Sequence, residues 1–232
     1  MVGVEALVRW QHPTKCLLYP DAFIPLAEQT GIISALTAYV LDASLEQVRR
    51  WRDAGIDLAV SVNLSTHDLI DLRFPDEVEA VLRKWSVPGE NLELEITESL
   101  IMADPMRAQL VLVRLHELGI RLAVDDFGTG YSSLSYLKRL PVDEIKIDKS
   151  FVINMPESDS DEAIVRSTID LSRNLGLDVV AEGIESEIAW DRLASLGCTA
   201  GQGYYLSRPL PATDLVRWLA HHPADPAKRR SA

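Results

Sequence analysis

The chain has 232 residues, of which 47 % are hydrophobic and 25 % charged, and its formal net charge is −12. This composition excludes an intrinsically disordered chain, because disordered chains carry fewer apolar residues. The acidic balance argues against DNA, RNA and anionic membranes as partners, since their recognition needs an excess of Lys and Arg. A small phosphorylated ligand is compatible with it, provided that metal ions lie between the acids and the phosphates.

Two cysteines, Cys16 and Cys198, are too few for a disulfide framework and form no metal-type pair. The sequence contains no run of about 18 apolar residues, so no membrane span is expected. It also lacks a basic segment followed by an apolar one at its start, so no secretory signal is expected. These features predict a cytoplasmic protein.

Strand-like and helix-like patterns alternate along the whole chain. The predicted strands are 2–8, 58–64, 92–96, 120–124, 142–147, 177–181 and 199–206, and the predicted helices are 34–54, 75–85, 106–118, 161–175, 188–196 and 212–221. This alternation predicts a mostly parallel sheet covered by helices. We expect one domain over residues 1–221 and a loose tail over 222–232, folded as a (β/α) barrel or as a long doubly wound sheet.

Polar residues recur at the carboxyl ends of these strands, and one acid lies inside the first strand. They are Glu5, Asn63, Glu95, Asp125, Asp126, Lys146, Asp148, Glu182 and Gln202. In a barrel, these ends converge on the rim that carries the active site. Six of the nine are carboxylates and only one is a cation, so mutual repulsion and desolvation would be costly without divalent metal ions. Oxygen ligands favour Mg²⁺ or Mn²⁺, and a pair of such ions suits displacement at phosphorus.

Seven sequence blocks then resemble one family in order along nearly the whole chain. They are VEALVRWQHP (4–13), SVNLS (61–65), LEITES (94–99), DDFGTGYSSL (125–134), IKIDKSFV (145–152), VVAEGIE (179–185) and GQGYYLSRPLP (201–211). The chain resembles the EAL domains, which are bacterial cyclic di-GMP phosphodiesterases. This resemblance implies a TIM-like (β/α)8 barrel that hydrolyses one phosphodiester of cyclic di-GMP and releases linear 5′-pGpG.

The resemblance also implies a two-metal site with Mg²⁺ or Mn²⁺. Its implied ligands are Glu5, Asn63, Glu95, Asp125, Asp126 and Glu182. Asp125 would bridge the two ions, and Glu182 would serve the second ion through water or act as the general base. We expect Ca²⁺ to inhibit, because its longer and more flexible coordination misplaces the attacking water.

Further roles are implied around these ligands. Lys146 would position and polarise the attacking water, and Asp148 and Gln202 would complete the water and substrate network. Arg9 would hold a substrate phosphate, and Leu7 of the EAL tripeptide would contact the substrate. Glu98 would anchor the loop 126–134 through Ser132, and Glu185 would support the site from behind the metal ligands.

Simpler interpretations stay open for single residues. Arg9 on its own is a surface arginine, Thr97 is a helix cap, Lys146 is a lysine that extends from a strand end, and residues 128–130 form a flexible loop.

The sequence also departs from the family at two places. It lacks the usual strand with a YQP-like glutamine before Glu5, so we expect a barrel without its first strand. Cys16 stands where the family often has glycine, and a positive φ there would strain the loop.

Two other functions remain as alternatives. One is a cyclic di-GMP receptor that binds without cleaving, and the other is an unrelated metal-dependent barrel that acts on a carbon acid. The intact metal-ligand motifs favour the phosphodiesterase over the receptor. The resemblance further implies a homodimer, and it allows sensory or GGDEF domains in a longer chain.

Overall fold

The computed structural model describes residues 3–129 and 137–221. Seven strands form one parallel sheet in the order β1-β4-β5-β6-β7-β8-β9, and β2 and β3 form a separate antiparallel hairpin. The strands are β1 (Gly3–Glu5), β2 (Trp10–His12), β3 (Cys16–Leu18), β4 (Ala59–Asn63), β5 (Leu92–Thr97), β6 (Arg121–Phe127), β7 (Glu144–Ile147), β8 (Asp178–Ala181) and β9 (Ala200–Gly201). The sheet curls into a half-barrel whose two edges are β1 and β9.

Helices follow the strands and cover the outside of the sheet. They are α1 (Ile24–Thr30), α2 (Ile33–Asp53), α3 (Thr66–Ile70), α4 (Phe74–Trp85), α5 (Glu98–Ala103), α6 (Pro105–Glu117), α7 (Lys149–Asn154), α8 (Asp159–Leu175), α9 (Glu187–Leu196) and α10 (Ala212–His221). In the part of the chain that the structure describes, none of these helices has both the length and the hydropathy needed to cross a bilayer.

Strand β5 shows how the sheet separates its core from its polar interior. Leu92, Leu94 and Ile96 are fully buried in the hydrophobic core. Because side chains alternate along a strand, Glu93 and Glu95 point to the other face, where Ser61 of β4 contacts Glu93 and Lys146 of β7 contacts Glu95. The inner face of the half-barrel therefore carries stacked polar layers, with Glu95 toward the carboxyl end of β5 and Glu93 toward its start.

Most predicted elements agree with the structure to within one or two residues at each end. The prediction is wrong in length for the first and last strands, which shorten from 2–8 and 199–206 to Gly3–Glu5 and Ala200–Gly201. The pattern also missed the β2–β3 hairpin and four short helices, α1, α3, α5 and α7. Each of these elements has seven residues or fewer, so it is too short to show a clear period.

The hairpin contains Cys16, the residue that we expect to be strained if its φ is positive. Cys16 has a φ of 61°, the left-handed region in which a side chain is disfavoured. It opens β3 and pairs with His12 across the hairpin. The ring nitrogen Nδ1 of His12 accepts from the backbone N–H of Thr14 at 3.1 Å and of Lys15 at 3.2 Å, which closes the turn. The positive φ on which the expected strain at Cys16 depends is therefore present.

Candidate active site

Lys146 stands at the centre of the carboxyl end of the half-barrel. It lies on β7, is 3 % exposed, and its Nζ is 2.7 Å from Glu95 Oε1 and 2.6 Å from Glu182 Oε1. Asp125 Oδ1 is 3.8 Å away. Four neighbouring strands, β5 to β8, supply this group, since Glu182 directly follows β8. The structure thus brings a single buried ammonium group into contact with three of the predicted carboxylates.

Glu5, at the end of β1, is held by two amide side chains. Asn63 Nδ2 donates to its Oε1 at 2.9 Å, and Gln202 Nε2 donates to its Oε2 at 2.6 Å. Asn63 ends the neighbouring strand β4, whereas Gln202 follows β9 at the opposite edge of the sheet. The Gln202–Glu5 hydrogen bond therefore spans the open side of the half-barrel.

A β-bulge in β6 explains how two consecutive aspartates serve one site. The pairing with β7 shifts between Val124 and Phe127, and Asp126 has a φ of 52°. In a regular strand Asp125 and Asp126 would face opposite sides, and a bulge changes the direction of a side chain. Here the Asp126 N–H donates to Asp125 Oδ1 at 2.9 Å, and the Asp126 carboxyl hydrogen-bonds to Asp148.

Asp148 follows β7 and caps α7. Its Oδ1 accepts from the Ser150 N–H at 3.0 Å and from the Ser150 hydroxyl. Burial raises the pKa of Asp148, but these hydrogen bonds outweigh it, so the pKa lies below its ordinary value. The pKa of Asp126 rises to about 6, because its burial and the adjacent Asp125 charge both disfavour the ionised form.

Burial dominates the electrostatics around Lys146. It raises the pKa of Glu95 to about 8 and that of Glu182 to about 7, while the Lys146 charge opposes the rise in both. Burial also lowers the pKa of Lys146, but the surrounding carboxylates outweigh it and raise the pKa well above its ordinary value. The rim therefore keeps a charged lysine beside two carboxyls that hold their protons to a higher pH than usual, because one lysine does not offset the cost of their burial.

The loops that carry Glu182 and Gln202 are joined by backbone hydrogen bonds. Gln202 N–H donates to the Ala181 carbonyl at 2.8 Å, and the Ile184 N–H donates to the Gln202 carbonyl at 3.0 Å. Gly203 permits this approach, since a Cβ there would lie 2.2 Å from the Ile184 carbonyl oxygen. The two loops are therefore fixed to each other, and with them the two side chains that they carry.

Three other predicted site residues form no hydrogen bond or ion pair with the rim within residues 3–129 and 137–221. Arg9 stacks on Tyr19, with its guanidinium carbon 4.8 Å from the ring centre, and donates to the Val8 carbonyl. Leu7 is exposed. Glu185 is exposed too, and within residues 3–129 and 137–221 it forms no hydrogen bond or ion pair with the rim.

The predicted loop anchor is tested only in part. Glu98 begins α5 and is half-buried, and Ser132 lies outside the described residues, so the contact between them stays a prediction. Thr97 occupies the N-cap position of α5, but its side chain makes no capping hydrogen bond.

Sequence reasoning missed the residue that supports Arg9. The hairpin pairs Trp10 with Leu18, so Arg9 and Tyr19 are the next positions of the same register. Tyr19 extends that register, which places its ring against the Arg9 guanidinium. A hairpin assigned from the sequence would have predicted this contact.

Comparison with known proteins agrees with this geometry. The family model of the EAL domain matches residues 1–209. The bifunctional diguanylate cyclase/cyclic di-GMP phosphodiesterase MucR of Pseudomonas aeruginosa is 43 % identical over 221 residues, which are 95 % of this chain and 32 % of MucR. The cyclic di-GMP phosphodiesterase NbdA of the same organism is 43 % identical over 225 residues, 97 % of this chain and 29 % of NbdA.

A solved structure shows the same fold. The MucR phosphodiesterase in complex with c-di-GMP superposes with a TM-score of 0.90 at 44 % identity, covering 93 % of this chain and 87 % of that one. The chain spans about a third of the length of the two curated relatives. The seven-stranded half-barrel of this chain is consistent with the family match over residues 1–209. The chain belongs to the EAL domain family.

Proposed function

We propose that this chain hydrolyses one phosphodiester of cyclic di-GMP to give linear 5′-pGpG, with Mg²⁺ or Mn²⁺ as its cofactor. The observation that carries the proposal is the rim itself, where Glu95, Asp125 and Glu182 surround the buried Lys146. Its relatives support the substrate, since MucR and NbdA are named cyclic di-GMP phosphodiesterases and the MucR structure holds c-di-GMP.

The rim residues fit a hard divalent cation by their chemistry. The proposed ligands Glu5, Asn63, Glu95, Asp125, Asp126 and Glu182 offer only oxygen donors, which Mg²⁺ and Mn²⁺ prefer. Glu95 Oε2 is buried and has no hydrogen-bond partner among the described residues.

The carboxylates are otherwise engaged in this structure. Lys146 and the two amides contact carboxylate oxygens of Glu5, Glu95 and Glu182. Accordingly, no group of three or more acidic, histidine or cysteine side chains in residues 3–129 and 137–221 is arranged as a ready metal site. Cation binding would therefore require Asn63 to present its amide oxygen and the carboxylates to turn from their present partners. When bound, the ions would neutralise the rim and lower the pKa of a coordinated water.

The chain's own groups would act on the attacking water and on the substrate. Lys146 Nζ would donate to the attacking water and orient it toward phosphorus, because an ammonium group has three N–H donors and Glu95 and Glu182 account for two of them. Glu182 would accept the proton of the water, since a carboxylate with a pKa of about 7 suits a general base near neutral pH. Arg9 would hold a phosphate oxygen through its guanidinium. As the water oxygen bonds to phosphorus, the bond from phosphorus to the 3′-oxygen would break, and the 3′-oxygen would take up a proton from solvent.

A second copy of the chain is the proposed partner. Met106, Leu110 and Val113 are exposed and lie on one face of α6. An apolar stripe of this kind supports the predicted homodimer, and sedimentation of Leu110→Glu tests it. Association with sensory or GGDEF domains, and the cytoplasmic location, stay predictions from the sequence.

The direct test is to incubate the chain with cyclic di-GMP and Mg²⁺, Mn²⁺, Ca²⁺ or a chelator, and to measure pGpG by chromatography. We expect pGpG with Mg²⁺ or Mn²⁺, inhibition by Ca²⁺, and none after chelation. Tight binding without cleavage would support the receptor alternative instead. If the chain neither binds nor cleaves cyclic di-GMP, a different reaction, such as one on a carbon acid, is the remaining alternative.

A further inference from the structure

Asp68 is a buried carboxylate outside the rim. It lies in α3, the short helix after Asn63, and is 2 % exposed. Its Oδ2 is within hydrogen-bond distance of three donors: the Thr37 hydroxyl at 2.8 Å, the Ser65 N–H at 3.0 Å and the Ser65 hydroxyl at 2.5 Å. None of the ion pairs among the described residues includes Asp68, so neutral donors alone hold this carboxylate.

Helix capping alone does not require such a residue. The helices α8 and α9 begin with Ser158 and Ser186, whose hydroxyls accept a backbone N–H without a buried acid. Burial of a carboxylate costs free energy that hydrogen bonds must offset. At α3 the acid adds a contact that the other two caps lack, because it connects Ser65 to Thr37 on α2.

This connection fixes the turn that carries Asn63. Ser65 lies two residues after Asn63, and both its backbone N–H and its hydroxyl are held by Asp68. On the other side, the Leu64 N–H donates to the Glu95 carbonyl at 2.9 Å. The turn is therefore held between α2 and β5, and it directs the Asn63 amide toward Glu5.

We infer that Asp68 is a positioning residue, which acts through Ser65 on the Asn63–Glu5 contact. Its effect on turnover rests on the proposed function, whereas its effect on Asn63 does not. Partners that orient the residues of a catalytic site are typically worth about 10- to 100-fold in activity. Loss of Asp68 should therefore lower turnover by about that factor without a comparable change in substrate affinity.

The test compares Asp68→Ala, Asp68→Asn and the remote cap variant Ser158→Ala. At a temperature where all are folded, we expect Asp68→Ala to lower kcat of pGpG release about 10-fold or more, with KM changed less than about twofold. Asp68→Asn keeps an acceptor oxygen and should restore most of kcat. Ser158→Ala should lower the melting temperature through loss of its cap, with kcat unchanged. A kcat for Asp68→Ala equal to that of the wild type would overturn the inference.

A second readout does not depend on activity. The side-chain amide signal of Asn63 in a ¹⁵N-correlated NMR spectrum should shift in Asp68→Ala and stay in place in Ser158→Ala. An unchanged Asn63 signal in Asp68→Ala would overturn the positioning role whether or not the chain cleaves cyclic di-GMP. Absence of pGpG from the wild type would count against the proposed function alone, and the Asn63 signal would still decide the role of Asp68.

Discussion

The inner face of the half-barrel carries two charged layers, each of which places one cation among several carboxylates in a different geometry. In the lower layer, Arg121 contacts Glu93 at 3.3 Å, Glu144 at 3.4 Å and Asp178 at 2.9 Å, and the Ser61 hydroxyl donates to Glu93. In the upper rim, Lys146 contacts its carboxylates from an almost fully buried position. One cation thus faces three nearby carboxylates in each layer.

The difference lies in the geometry of the cation and in the extra acids. A guanidinium group presents several donors in a planar fork, so Arg121 hydrogen-bonds to Glu93, Glu144 and Asp178 together. Lysine is a compact point charge, and the upper rim adds Glu5, Asp126 and Asp148 to the acids around it. In the lower layer all three nearest carboxylates are therefore hydrogen-bonded to the cation. The upper rim holds more acids than Lys146 contacts, and a bound cation would neutralise them.

The largest expected effect is on Lys146. Replacement by Met removes the proposed donor to the attacking water, and groups of this kind contribute about 10²- to 10⁴-fold to a rate. We expect a loss of pGpG release of at least that order, measured at a temperature where circular dichroism shows the variant folded, because removal of this buried charge also lowers stability. Lys84→Met is the matched control, because Lys84 pairs with Asp42 between α2 and α4. Equal turnover in Lys146→Met and the control would remove Lys146 from the mechanism.

Arg121→Met should affect stability rather than chemistry. Loss of one partner of a buried ion pair leaves uncompensated charge, but Arg121 is 38 % exposed, so solvent screening reduces the penalty. We expect a loss of about 1–3 kcal/mol in the free energy of unfolding, measured by urea denaturation, with kcat unchanged. Arg121→Lys should recover only part of the loss, because lysine cannot form the fork. A large fall in kcat for Arg121→Met would show that the two layers are coupled.

The lower layer also predicts a dependence of stability on pH. Burial raises the pKa of Glu144 to about 8, repulsion from Glu93 adds to the rise, and Arg121 opposes it. The folded protein therefore binds this proton up to about pH 8, whereas the unfolded chain releases it near the ordinary value of 4.5. Stability should fall as pH rises through that window, since the folded state binds more protons there.

Glu144→Gln tests whether stability falls with rising pH because of Glu144, since the substitution removes the titrating group. The melting temperature of the variant should fall less steeply between pH 5 and 8 (roughly the window set by the two pKa values) than that of the wild type. Glu95 and Glu182 titrate in the same direction, so a residual slope is expected. An identical slope in both proteins would contradict the raised pKa of Glu144.

The smallest expected effect is at Cys16, which lies outside both layers. A left-handed backbone costs a side chain about 1–2 kcal/mol, and the flexibility of glycine in the unfolded chain returns about 0.5–1 kcal/mol of that. Cys16→Gly should therefore stabilise the fold by about 0.5–1 kcal/mol in urea denaturation. Cys16→Ala keeps a Cβ and should give no gain. A loss of stability in Cys16→Gly would mean that the Cys16 side chain contributes more than its strain costs.

The sequence predicted the strands and the rim because both follow from simple periodicities. Glu95, Lys146 and Glu182 end or follow strands that alternate with helices, and parallel strands bring such ends together. The lower layer was not predicted, since Glu93, Arg121 and Glu144 sit near strand starts, where a charged residue resembles a solvated end. The bulge at Asp126 and the Asp68 network depend on local backbone geometry, which residue patterns do not encode.

The central claim is that the upper rim alone is poised for divalent cations. Calorimetric titration with Mn²⁺, together with melting curves, tests it most directly, because a ligand that binds only the folded state raises the melting temperature. We predict Mn²⁺ binding and a raised melting temperature for the wild type and for Glu144→Gln, and neither for Asp125→Ala. Absence of Mn²⁺ binding by the wild type, or undiminished binding by Asp125→Ala, would contradict the account.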